Sequence, residues 1–171
     1  MVMLSFNIRD LEQQAAQVDG DMPRDDALWQ EGDPLPIGAV KAMGRLSKAG
    51  AGRFYWSGHI EGTARVDCRR CLGTAEVTIE DDVHFIFAEA NDEDADDPDV
   101  FHLPARAQSV DLRPAIREHW VLSVPSFALC REECKGLCPR CGADLNDGPC
   151  DCAPEIDGRW ESLRTIRRAS K

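Results

Sequence analysis

RFYWSGHIEGTARVDCRRCLGTAEVTIEDDVHFIF, residues 53–87, decides the reading of this chain. Phe54, Trp56, Ile60, Ala64 and Val66 fall on even positions, and Ala75, Val77, Ile79, Val83, Phe85 and Phe87 on odd ones. A period of two over both segments predicts two half-buried strands, 53–67 and 74–87, joined by CRRCLG as an antiparallel hairpin. Gly58 and Gly62 interrupt the pattern and mark bulges or the close approach of a neighbour.

Before the hairpin the signals are weaker. LSFNIRDL (4–11) alternates briefly and reads as a short strand. The polar stretch from there to PLP at 34–36 reads as a loose connection. Residues 36–50 fit a strand face through Val40, Ala42 and Leu46, while their Ala and Lys content also permits a helix; AGAG at 49–52 marks a turn.

Beyond the hairpin, AEANDEDADDPD (88–99) has seven acids and no base. Such a block repels itself and is expected as a solvated loop, with a docking surface as the alternative. A helix is predicted over 112–122: Asp111 is placed to cap, a proline stands in the first turn, and Ile116, Trp120 and Val121 follow helical spacing up to Pro125. In the tail, Trp160, Leu163 and Ile166 predict a short amphipathic helix.

Six of the eight cysteines crowd into residues 130–152. In CPRCG (138–142), two thiolates two residues apart can grip one ion, and Gly142 lets the backbone curl back toward sulfur. After the turn NDGP, Cys150 and Cys152 lie two apart on extended backbone and complete a set: Cys138, Cys141, Cys150 and Cys152. Cys130 and Cys134 then lack partners, as do Cys68 and Cys71 at the hairpin tip. Joined, these four make a second set, and no cysteine is left over. A rival partition places Cys134 in the first set instead of Cys150 or Cys152.

Zinc, which favours tetrahedral thiolate and has no redox liability, is the expected ion, two per chain; iron-sulfur ligation or a single iron uses the same residues. A closed four-thiolate centre leaves no position for substrate, so neither site is expected to be catalytic. His59, His84, His102 and His119 are dispersed and read as surface or strand residues. No nucleophile motif and no phosphate-cradling glycine loop occurs.

The net charge is −11. Residues 1–128 carry 12 Lys and Arg against 23 Asp and Glu, and residues 129–171 carry 8 against 8. A non-specific nucleic-acid binder has a basic excess, which this chain lacks. Local cations exist nonetheless: Arg69 and Arg70 at the tip, Arg131, Lys135 and Arg140 in the cysteine loops, and Arg164, Arg167, Arg168 and Lys171 in the tail. Together they are the candidate contacts for RNA or a protein partner. No apolar run is long enough to cross a bilayer, and MVMLSFNIRDLEQQ lacks the pattern of a signal peptide, so a cytoplasmic protein with reduced thiols is expected.

VDCRRCL after an alternating strand, DLRPAIREHWVLSVPSFALC, CKGLCPRCGADLN, CDC and DGRWESLRTI, in this order over about residues 53–168, resemble the YceD family of large ribosomal RNA subunit accumulation proteins. The resemblance implies a bacterial or plastid-type, non-enzymatic factor for 23S ribosomal RNA synthesis, processing or accumulation. Its implied partners are ribosomal RNA, large-subunit ribosomal proteins or processing factors, with no membrane and no small-molecule substrate. Two other functions stay open: a thiol redox or metal-transfer protein, and an acidic escort for a basic ribosomal protein.

The expected fold is α+β: an antiparallel sheet with a covering helix and a C-terminal zinc-knuckle module. Its division would be a body over 1–128 that carries the CxxC-tipped hairpin, and a cysteine-rich module with a C-terminal helix over 129–171.

Overall fold

The computed structural model describes residues 4–89 and 100–152. Strands dominate it. The elements are β1 (Ser5–Asn7), α1 (Ile8–Leu11), β2 (Ala16–Pro23), β3 (Ala39–Gly50), β4 (Arg53–Asp67), β5 (Thr74–Glu89), β6 (Val100–Leu103), β7 (Ser109–Asp111) and α2 (Arg113–Ser123). One sheet has the order β2-β3-β4-β5-β6, and a small second sheet pairs β1 with β7.

The hairpin forms as the alternation predicts. β4 and β5 pair without interruption from Asp67↔Thr74 to Arg53↔Ala88. Because partners across the ladder share a face, the even residues of β4 and the odd residues of β5 line one side. Trp56, Ile60, Ala64, Ile79, Val83 and Phe87 are buried there. The same face continues through Val40, Ala42 and Leu46 of β3, which settles residues 36–50 as strand.

The ladder is unbroken at Gly58 and Gly62, so they mark close neighbours and no bulge. A Cβ on Gly62 would lie 2.8 Å from the Trp120 ring of α2, and one on Gly58 would lie 2.6 Å from Trp56 Nε1. Glycine lets the helix and an indole lie directly on the sheet.

Four expectations are corrected. LSFNIRDL is strand only over Ser5–Asn7; Asn7 Oδ1 accepts the Arg9 N–H at 2.9 Å and opens the one-turn α1. The supposed loose connection contains β2, whose Val18 and Met22 are fully buried against β3. Its remaining loop is pinned by α2. Arg117 forms two hydrogen bonds with Asp33 at 2.7 and 2.8 Å, Arg113 meets Asp26 at 3.3 Å, and Trp120 Nε1 donates to Pro34 O at 2.7 Å.

Third, the sheet is mixed: β6 runs parallel to β5, with Ile86 beside Val100 and Glu89 beside Leu103. The chain therefore re-enters alongside β5 in the same direction instead of folding straight back, as a tight turn would require. Fourth, the residue at the cap position of α2 is Leu112; Asp111 accepts the Arg113 N–H at 3.1 Å and also binds the Arg113 side chain.

Helix α2 otherwise lies where the spacing predicts, with Ala115, Ile116 and Trp120 buried on the sheet. Its far end is fastened to β5 through Asp81, which accepts from Ser123 Oγ at 2.7 Å and lies 3.0 Å from His119 Nε2. Ala88 and Glu89 of the acidic block belong to β5; the block's residues 90–99 and the predicted tail helix lie outside the described residues.

Candidate metal centres

The tip of the hairpin is a tight knuckle. Cys68 N–H donates to Gly73 O at 2.7 Å and Leu72 N–H to Cys68 O at 2.9 Å. Residues 138–143 repeat this backbone: Cys138 N–H donates to Ala143 O at 2.8 Å and Gly142 N–H to Cys138 O at 2.9 Å. Each turn directs two sulfurs and several amide N–H groups to one point.

The cysteine-rich segment returns to the tip through the backbone. Arg69 N–H donates to Ala128 O at 2.8 Å, Leu137 N–H to Arg70 O at 3.1 Å, and Arg70 Nη1 to Cys134 O at 2.9 Å. Gly136, at φ 75°, is required for this contact, since a Cβ there would lie 2.9 Å from Arg70 O.

Two clusters result. Cys68, Cys71, Cys130 and Cys134 form one, and Cys138, Cys141, Cys150 and Cys152 the other, with the sulfurs of each within 4.8 Å of one another. Cys68 Sγ lies 3.7 Å from Cys134 Sγ, and Cys71 Sγ 3.7 Å from Cys130 Sγ. Disulfide sulfurs stand about 2.05 Å apart. Zinc-thiolate bonds of about 2.3 Å place tetrahedral sulfurs about 3.8 Å apart. The spacing suits four ligands around an ion, and both clusters could hold one.

The electrostatics suit a cation as well. The Cys71 and Cys130 amides facing its sulfur lower Cys68 to about 6, even though the side chain is buried. Cys138 is likewise lowered to about 6 by the Cys141 and Arg140 amides. Cys134 is lowered chiefly by Asn146, whose Nδ2 lies 3.4 Å from its sulfur. Burial and the neighbouring thiols raise Cys130 to about 12, while contact with Cys141, then burial, raises Cys152 to about 12. Each cluster thus readily ionises part of its set and resists ionising the rest, a conflict that a bound cation removes by releasing protons.

Asn146 went unnoticed in sequence. It lies in LNDGP between Cys141 and Cys150 of the other cluster, and its Oδ1 also accepts the Lys135 N–H at 2.9 Å. Polar turn residues next to a thiolate are the only signal that could have pointed to it.

The candidate cations are distributed around this end. Arg69, Arg70, Arg131, Lys135 and Arg140 are exposed, and Arg70 also holds Cys134 O. Arg164, Arg167, Arg168 and Lys171 lie outside the described residues. The histidines stand away from both clusters: His59 lies 3.0 Å from Asp82, and His84 lies 2.7 Å from Tyr55 Oη. Among the described residues, no helix is long and apolar enough to cross a membrane.

Comparison with known proteins gives these features a context. The family model described as Large ribosomal RNA subunit accumulation protein YceD matches residues 56–167. A chloroplastic large ribosomal RNA subunit accumulation protein YCED homolog 1 from Arabidopsis thaliana is 39% identical over 57 residues, 33% of this chain and 18% of its own length. The Zea mays protein of the same name is 41% identical over 64 residues, 37% of this chain and 22% of its own. An uncharacterized protein of Mycobacterium tuberculosis is 31% identical over 100 residues, 57% of this chain and 47% of its own. The match thus spans less than half the length of each relative. No solved structure matches. Since the matched span covers more than half of the chain and takes in both knuckles and α2, the protein belongs to the YceD family of large ribosomal RNA subunit accumulation proteins.

Proposed function

We propose that the protein is a non-enzymatic cytoplasmic factor that supports the synthesis, processing or accumulation of 23S ribosomal RNA during large-subunit assembly, and that it carries two structural zinc ions. Family membership supports the cellular role. The observation that carries the molecular one is the closure of both cysteine sets: four sulfurs leave zinc no open position for a substrate.

In this reading Cys68, Cys71, Cys130 and Cys134 bind one zinc, and Cys138, Cys141, Cys150 and Cys152 the other. Structural zinc in small peptides contributes on the order of 10 to 16 kcal/mol near neutral pH. That is enough to tie the cysteine-rich segment from 129 onward to the 1–128 body. The partners are ribosomal RNA, large-subunit ribosomal proteins or processing factors. Deleting the gene should lower 23S relative to 16S ribosomal RNA, and the purified protein should be colourless with two zinc ions per chain. Unchanged ribosomal RNA would refute the role; a brown protein containing iron would refute the metal.

A second reading has its own observation. The solvent face of the large sheet holds a groove of about 590 Å³ lined by Asp21, Glu61, Glu76 and Glu80, with Lys41 among them. On a chain of net charge −11, this favours an escort for a basic ribosomal protein. Binding tests with RNA and with basic ribosomal proteins at several salt concentrations separate the two. Fast titration of several thiols in the zinc-loaded protein would instead favour redox or metal-transfer chemistry.

A further inference from the structure

The two knuckles differ at one instructive position. The residue after the second cysteine is left-handed in both, Gly142 at φ 73° and Leu72 at φ 58°. Glycine adopts this conformation freely, whereas a side-chain-bearing residue is strained by it. Leu72 recovers little by burial, because it is 67% exposed. A strained and exposed leucine where the sister turn has glycine points to contact with something outside the chain.

Leu72 has company. Phe127 is 70% exposed and is held beside the tip by the bond from Arg69 N–H to Ala128 O. The Arg69 guanidinium lies 4.4 Å from the centre of its ring. Residues 68–73 and 125–131 contain Arg69, Arg70 and Arg131 and no acid. This small cationic, apolar area stands at the end of strands 15 and 16 residues long, on a chain of net charge −11.

We propose that the hairpin tip binds an unpaired stretch of RNA, with a base on Phe127, an apolar contact from Leu72, and phosphate contacts from Arg69 and Arg131. The proposal rests on the role in ribosomal RNA accumulation given above and assigns it a contact surface. A duplex presents phosphates across a broad front, which three cations on an acidic protein cannot match. An unpaired nucleotide offers a base plane that adds to a ring already paired with a guanidinium. That ring favours RNA over an acidic protein segment, which the cations alone would also attract.

The test uses the full zinc-loaded chain and a labelled, unstructured oligoribonucleotide of about 12 nucleotides, read by fluorescence anisotropy beside a duplex of the same sequence. The single strand should bind more tightly than the duplex. Phe127→Ala should weaken it about tenfold, while Phe127→Trp retains it. Leu72→Gly should also weaken binding, with a melting temperature equal to or above that of the parent, which excludes misfolding as the cause. Equal binding by the parent and Phe127→Ala, or no binding of the single strand, overturns the proposal. So does a protein captured from nuclease-treated lysate by the parent and lost by Phe127→Ala. Complementation separates the two levels: if deletion lowers 23S ribosomal RNA and Phe127→Ala restores it fully, only the tip proposal fails; if deletion leaves it unchanged, the underlying role fails.

Discussion

Cys68 and Cys134 lie 66 positions apart in the chain, yet their sulfurs stand 3.7 Å apart, in a cluster that joins the hairpin tip and the cysteine-rich segment at one point. Cys68→Ser should therefore remove one ion and spare the other. Native mass spectrometry should count two zinc ions on the parent and one on the variant. Hydrogen exchange should rise at residues 68–73 and 128–137, leaving the knuckle at 138–142 protected. Loss of both ions together, or of neither, would break the assignment.

Asn146 supports the same centre without being a ligand. Removing its amide takes a donor from the Cys134 sulfur and releases the Lys135 N–H. Asn146→Ala should weaken zinc at this site by about 10- to 100-fold, the usual effect of losing a partner of a metal ligand. A competition titration with a chromogenic chelator measures it, and of two resolved transitions only one should move.

The contact between Asp33 and Arg117 should be visible in the pH dependence of stability. Arg117 donates two hydrogen bonds to this carboxylate and holds it below its ordinary value of 3.8. A lowered folded value means that the added stability is complete above the unfolded value and is lost as pH falls through the folded one. Asp33→Asn should cost about 2 kcal/mol at pH 7, as for hydrogen bonds to a charged group. The gap should narrow below about pH 3.8. Urea midpoints of the two proteins, measured side by side across this range, give the gap; a constant gap would disprove the linkage.

Gly62 lies beneath Trp120 with no room for a methyl group. Gly62→Ala should push α2 from the sheet and destabilise the fold by about 2 kcal/mol, a typical cost of overpacking. Thermal denaturation is the measurement. Gly142→Ala meets nothing within 4 Å. Any cost there comes from its left-handed φ of 73°, so the two variants distinguish crowding from backbone strain.

The central hairpin and α2 were legible because their patterns repeat. Period two over 53–67 and 74–87, and helical spacing through Ile116 and Trp120, each report one buried face. The four-by-four division of the cysteines was legible as arithmetic with a rival partition, and the sulfur positions group them as Cys68, Cys71, Cys130, Cys134 and Cys138, Cys141, Cys150, Cys152. β2 was hidden because only Val18 and Met22 mark its inner face, with Gly20 between them and aspartates at 19 and 21.

Local patterns were therefore enough to place the β4–β5 hairpin, helix α2 and the two CxxC turns, since each depends on neighbours a few residues away. The parallel pairing of β6, the pinning of the 24–38 loop by α2, the part played by Asn146, and the meeting of Arg69 with Phe127 needed the folded chain. These contacts join residues that no short-range pattern connects. They form only once burial of the sheet face has fixed the register and brought distant segments within reach.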